Sequence, residues 1–181
     1  MTRRILLVRH TQVALRWHGR CYGSSDMGLS RAGQRHATVL AATLATLPIT
    51  AIVHSGLIRT RILADRVAHA TGLLATIDPR WRERDFGGWE GRGWNAIWRE
   101  TGSAMDGLMT DPAGFRPGGD GETGQRLADR ATAALAALPS AGTILVVSHG
   151  GPIASLRARA AGRPLTDAAG FIPAQGEIVP L

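Results

Sequence analysis

The sequence predicts an α/β fold, a three-layer α/β/α sandwich around a mostly parallel central sheet. Three observations carry this expectation. Apolar β-branched runs alternate with amphipathic stretches along the whole chain, the pattern of strand–helix–strand crossovers. Two runs, Ile5–Val8 and Thr143–Val147, are almost entirely apolar, as strands covered on both faces are. Both stop at a short polar tag, Arg9-His10-Thr11 and Ser148-His149-Gly150. Each histidine is thereby delivered to the carboxyl-terminal rim of the sheet, where open α/β sheets bind their ligands.

The elements follow in order. Ile5–Val8 is the first strand, and a loop through Gly19, Gly23 and Gly28 leads to Ser30, the expected N-cap of a helix that Pro48 stops after Leu47. Ala51–His54 reads as the second strand, Leu57 to about Thr71 as a helix closed by Gly72, and Leu73–Ile77 as the third strand. The segment Pro79–Trp94 is rich in Arg, Gly and Trp without a period, so it is read as a loop and a place for function. Trp94 to about Met109 reads as a helix with Ile97 and Trp98 on its apolar side, followed by a loop over Pro112–Gly121. Thr123 opens a helix to about Leu138, with Leu127, Ala131, Ala134, Leu135 and Leu138 on one stripe. The strand Thr143–Val147, a helix over Ile153–Ala161 and a last short strand over Glu177–Leu181 complete the chain. With neither repeat nor linker, residues 1–181 are read as a single domain.

Composition narrows the function classes. A hydrophobic fraction of 44% and a charged fraction of 19% are those of a soluble globular protein. No run approaches the roughly 18–20 apolar residues of a membrane span, and Met1-Thr2-Arg3-Arg4 leads straight into a strand, unlike a signal peptide. A cytoplasmic location without membrane contact is the expectation. The single cysteine, Cys21, excludes an intrachain disulfide. All 21 basic residues are arginine. Without lysine there is neither a Walker-A phosphate loop nor a Schiff-base amine. Despite the net charge of +7, the arginines are scattered rather than clustered, so no nucleic-acid partner is expected.

Arg9-His10 sets a fixed cation beside an imidazole, which suits an anionic substrate attacked by a nucleophile. His149 precedes Gly150-Gly151 at a helix start, where backbone N–H groups can approach an anion. Arg59 and Glu83, taken singly, are ordinary: a helix arginine and one half of a surface ion pair. Two chemistries that cleave phosphate esters with other groups fail on spacing. A Cys-x5-Arg loop would need arginine where Met27 stands, and the six histidines show no metal-binding pair at helical spacing.

Together these residues resemble the histidine phosphatase superfamily, the phosphoglycerate mutase-like enzymes. Four motifs occur in that family's order: Arg9-His10-Thr11 at a strand end; Ser55-Gly56-Leu57-Ile58-Arg59 with Ala64; Glu83 ahead of Phe86-Gly87-Gly88-Trp89-Glu90-Gly91; and Ser148-His149-Gly150. Within the superfamily the chain looks most like the α-ribazole phosphatases, on Phe86-Gly87-Gly88-Trp89-Glu90, Cys21-Tyr22-Gly23, Gly162-Arg163-Pro164 and Gln175-Gly176. The resemblance implies a metal-independent, cofactor-free phosphomonoester hydrolase acting on a small molecule, as monomer or homodimer. It implies that His10 attacks phosphorus, that Arg9, Arg59 and a cationic His149 clamp the phosphoryl oxygens with help from Thr11 and Gly150, and that Glu83 is the general acid and base. Burial or a neighbouring carboxylate such as Asp85 or Glu90 would favour proton donation by Glu83, so Arg82 and Arg84 are expected to face outward or towards the substrate. Tyr22, Trp89 and the Pro117–Thr123 loop are expected at the mouth.

Thr11 departs from the family's usual glycine after the histidine. A mutase would hold its released acid under added loops and a tail, and the short stretch after Gly176 favours a phosphatase. The same motifs would also suit a broad-specificity small-molecule phosphatase, or a phospholigand-binding module built on the same fold. Loss of His10 or Glu83 would mark a binding module, and both are present.

Overall fold

The computed structural model describes residues 2–181. Five strands, β1 (Arg3–Arg9), β2 (Ile49–His54), β3 (Ala75–Ile77), β4 (Gly142–Ser148) and β5 (Ile178–Pro180), form one sheet in the order β3-β2-β4-β1-β5. All neighbours are parallel except β5, which returns antiparallel along β1. The expected strands are therefore present, with no end shifted by more than two residues.

Helices α1 (Arg31–Ala45) and α2 (Ile58–Thr71) cover one face, joined to Leu6, Val8, Ile52, Leu145 and Val147 through Leu40, Leu44, Leu63 and Val67. The short helices α3 (Trp94–Thr101) and α4 (Gly107–Thr110) follow in the chain. Beyond them, α5 (Gly124–Ala136) and α6 (Gly150–Ala160) cover the other face over Ile5, Leu7, Val53, Ile144 and Val146. Alternate residues of each strand thus enter opposite cores, which is why these strands are apolar throughout. Two helix starts are built as the sequence indicates: the Ser30 hydroxyl accepts from Gly33 N–H and the Thr123 hydroxyl from Arg126 N–H. Among the described residues no helix is long and apolar enough to cross a membrane.

The stretch after Trp94 differs from its expectation. One helix to Met109 was expected; α3 instead ends at Gly102, whose φ of 53° and ψ of −138° suit glycine alone. A 3-10 segment, Gly102–Asp106, leads into α4. The apolar side is also narrower: Ile97 is buried but Trp98 is 50% exposed. A further 3-10 segment, Leu165–Phe171, has no counterpart in the sequence pattern and packs on α6.

Candidate active site

The register of the sheet brings the two histidines together. β1 and β4 run parallel with Arg9 opposite Ser148, so the residues that follow, His10 and His149, leave the sheet side by side. Their rings lie 5.2 Å apart, edge to face, and both are buried. β2 ends beside β4, with His54 opposite Val147, and so delivers Ser55 to the same edge.

The tautomers follow from the hydrogen bonds. His10 Nδ1 lies 2.8 Å from the Thr11 carbonyl, which can only accept, so Nδ1 carries the proton and Nε2 keeps its lone pair. Nε2 has no protein partner among the described residues. Burial first, then the Arg59 and Arg9 cations, pull the His10 pKa down to about 3, against a raising effect of the Thr11 bond. The imidazole is therefore neutral, with its free nitrogen ready as a nucleophile.

His149 differs from the expected cation. Arg59 Nε, a donor only, meets His149 Nδ1 at 3.2 Å, and His149 Nε2 meets Ser55 Oγ at 2.8 Å. The proton must then sit on Nε2, and a relay continues from Ser55 Oγ to Thr60 Oγ1 (2.8 Å) and on to the Leu57 carbonyl (2.8 Å). Burial, Arg59 and His10 hold the ring well below the ordinary histidine pKa. His149 is a neutral acceptor that orients Arg59.

Arg59 is fully buried. Besides His149 it donates to the Ser25 and Gly23 carbonyls (2.7 and 2.6 Å) and to Met27 Sδ (3.1 Å), and its guanidinium lies over the Tyr22 ring at 5.5 Å. Burial lowers its pKa from the ordinary arginine value, with the Glu83 carboxylate opposing. Arg9 donates one Nη to the Pro173 carbonyl at 2.8 Å, whereas its buried Nε has no protein partner. A methyl group on Gly150 would come to 3.5 Å from the Arg9 guanidinium carbon, so that glycine lies directly against the cation. Thr11 contributes through its backbone alone, because its buried hydroxyl donates to the Gly33 carbonyl at 2.8 Å.

Glu83 reaches the same place from the irregular segment after β3. Its Oε1 and Oε2 accept from Gly151 N–H at 3.0 and 3.2 Å, and Oε1 also from Arg84 N–H at 2.9 Å. The carboxyl group thereby caps the start of α6, taking up an N–H that the first turn of the helix leaves without a partner. Glu83, Arg9, Gly150 and Gly151 line one cleft of about 400 Å³. Its far wall is apolar, built by Leu108, Met109, Leu127, Ala154, Leu165 and Ile172.

Several sequence expectations need correction here. Arg84 points inward and is nearly buried. Its guanidinium serves the carbonyls of Glu122 (2.8 Å), Phe115 (3.3 Å) and Leu108 (3.5 Å), which have no strand partners. Arg82 is exposed, with its Nε towards the Ser55 carbonyl. Trp89 is 6% exposed and packs with Cys21, Ile97 and Phe115, so it is core and not a mouth residue. The Pro117–Thr123 loop sits against Gly87–Trp89, with Asp120 accepting from Gly88 N–H at 3.0 Å, while α4 and Leu165–Phe171 wall the cleft. Tyr22 lines the cleft but faces Arg59.

The sequence suggested Glu90 only as a carboxylate neighbour of Glu83; its hydrogen bonds show it holding a loop. Its carboxylate accepts from the N–H and hydroxyl groups of both Ser24 and Ser25, and from Phe86 N–H at 3.2 Å. Burial would raise its pKa, but these bonds together hold it below the usual carboxylate value. Glu90 thus fixes the loop whose carbonyls hold Arg59. Cys21 is not a nucleophile: burial and Glu90 push its thiol up to about 12.

Comparison with known proteins places the chain in a family. The sequence profile of the histidine phosphatase superfamily (branch 1) matches residues 5–181, and the chain belongs to that superfamily. A probable phosphoglycerate mutase of Citrobacter koseri is 38% identical over 149 residues, 81% of this chain and 69% of the relative. Two solved structures superpose closely at 26% identity. The α-ribazole phosphatase of Shigella flexneri has a TM-score of 0.84 over 98% of this chain and 89% of its own. A mycobacterial glucosyl-3-phosphoglycerate phosphatase has a TM-score of 0.87 over the same shares.

Proposed function

We propose that the whole chain works as one cytoplasmic histidine phosphatase domain that hydrolyses a phosphomonoester through a phosphohistidine at His10. The observation that carries this reading is the His10 tautomer: a buried neutral imidazole, with its proton fixed on Nδ1 and its other nitrogen free, beside two arginines. Nε2 attacks phosphorus in line as the ester P–O bond breaks, and Glu83 gives its proton to the departing oxygen. The free N–H groups of Arg9 and Arg59 meet the equatorial oxygens, where charge concentrates in a loose transition state. Glu83, now a carboxylate, takes a proton from the water that attacks the P–N bond. Phosphate leaves and neutral His10 returns. Arginine suits this role because its planar fork matches two oxygens at once.

The apolar wall of the cleft favours an alcohol with an uncharged, hydrophobic body over a small acid. That supports α-ribazole 5′-phosphate, whose base is aromatic, as substrate, in line with the likeness to the Shigella enzyme. The Citrobacter relative's name favours a phosphoglycerate instead. Phosphate release in EDTA, from α-ribazole 5′-phosphate, 4-nitrophenyl phosphate and 3-phosphoglycerate, separates the readings. A strong preference for the first, lost in His10→Ala, is the expected result. Equal weak turnover of all three would remove the α-ribazole assignment and keep the chemistry; no turnover of any would remove both.

A further inference from the structure

The segment that carries Glu83 has no ladder of its own. From Arg80 to Asp85 no carbonyl takes part in a strand ladder or a helix. Three carbonyls of this stretch converge on one side chain of α5. Arg130 Nη1 donates to the carbonyls of Arg80 at 2.7 Å and Arg82 at 2.6 Å, and Nη2 to that of Glu83 itself at 3.0 Å. The remaining N–H groups of the guanidinium go to Glu122, at 2.7 and 2.8 Å. All five donors are used, and Glu122 is in turn tied to the acid's segment, its N–H donating to the Asp85 carbonyl at 2.8 Å. Glu83 is therefore held at its tip by Gly151 N–H and at its root by Arg130.

We propose that Arg130, locked by Glu122, is a positioning residue for the general acid: it sets the main chain at Glu83 so that the carboxyl meets the leaving oxygen. The inference rests on the reading of Glu83 as that acid. A fork that binds three carbonyls and a carboxylate at once cannot be reproduced by lysine, whose ammonium is a single point with three donors. Misplacing an acid costs most where the leaving group most needs its proton. A loss confined to folding would not distinguish leaving groups.

The test is the single-turnover rate of alcohol release from 4-nitrophenyl phosphate, whose leaving group needs little protonation, and from ribose 5-phosphate, whose leaving group needs it fully. Wild type, Glu83→Gln, Arg130→Lys and Arg130→Met are compared. Glu83→Gln should fall about 100-fold or more on the alkyl ester and only a few-fold on the aryl ester. The Arg130 variants should follow the same pattern at about one-tenth to one-third of its size. Equal losses on both esters, or none on either, with Glu83→Gln still selective, would overturn the proposal. A Glu83→Gln variant without selectivity would overturn the reading of Glu83 and this inference with it. Should neither Arg130 variant fold, Glu122→Gln, which frees the guanidinium from its lock, must show the same selectivity, and an unselective response would overturn the proposal.

Discussion

The two halves of the candidate site are held by different means. His10 and His149 stand at the ends of adjacent parallel strands, so the sheet's own hydrogen bonds fix the distance between them. Glu83 stands in a segment without regular structure, fixed by side chains: Arg130 of α5 donates to its carbonyls, Arg84 within it donates to the Glu122 carbonyl, and Glu90 accepts from Phe86 N–H and from the Ser24–Ser25 loop. The half that holds the proposed nucleophile is set by backbone, and the half that holds the proposed acid by arginines and a carboxylate. Substitutions should therefore damage the first half by removing chemistry, and the second by letting geometry drift.

The largest effect should come from His10→Ala. Removing the nucleophile is expected to lower kcat by about 10⁴-fold, close to 5 kcal/mol. Circular dichroism should show an unchanged fold, because the strand and not the imidazole holds this half. Arg84→Met comes next and is a stability effect. It leaves three carbonyls of the acid's half without their donor, and urea unfolding should show a loss of about 3 kcal/mol. An unchanged midpoint would mean that these carbonyls find other partners.

Gly151→Ala sharpens the comparison further. A methyl there would overlap Glu83 Oε1, the tip of a movable side chain, with Leu127 next nearest. The carboxylate should swing away while the fold persists. We expect about a 100-fold loss of kcat on alkyl esters, near 3 kcal/mol, with a small change in melting temperature. A large drop in melting temperature would show Gly151 to be structural instead.

The smallest effect comes from pH. His10 has its folded pKa depressed to about 3, so the unfolded chain binds a proton there that the native state refuses. Stability is full above the unfolded value and falls as pH drops through it towards the folded one, by about 2 kcal/mol at pH 5 for this residue. His149 is depressed too and adds in the same direction. Unfolding free energies from pH 8 to 4.5 should decline in wild type and less steeply in His10→Ala. Parallel curves would mean that His10 is protonated in the native state.

The contrast also explains what could be read from sequence. Ile5–Val8 and Thr143–Val147 announce buried strands, and a strand end is a place in space, so His10, His149 and Arg9 were legible with their location. The tags carried no tautomer. That His149 is neutral follows from Arg59 Nε at its Nδ1 and from complete burial, neither of which a linear pattern shows. In the acid's half Glu83 and Glu90 were legible only through the family motif, because residues 78–93 have no period to fold by. Arg84 is hidden for the same reason. An arginine beside a glutamate looks like an ion pair, whereas carbonyls without strand partners claim it. Arg130 lies 47 to 50 positions from the carbonyls it gathers, and nothing local marks it. Gly102 breaks a helix that Ile97 and Trp98 suggest, since its backbone angles lie where only glycine is at ease.

The most direct test is to trap the covalent intermediate. Glu83→Gln mixed with 4-nitrophenyl phosphate should still transfer the phosphoryl group, because that leaving group departs without an acid, and should then stall for want of a base. Quenched enzyme digested under alkaline conditions should carry one acid-labile phosphate on the peptide containing His10. Phosphate on His149 or on a carboxylate, or a burst of nitrophenol with no phosphorylated peptide, would contradict the assignment of His10 as the nucleophile.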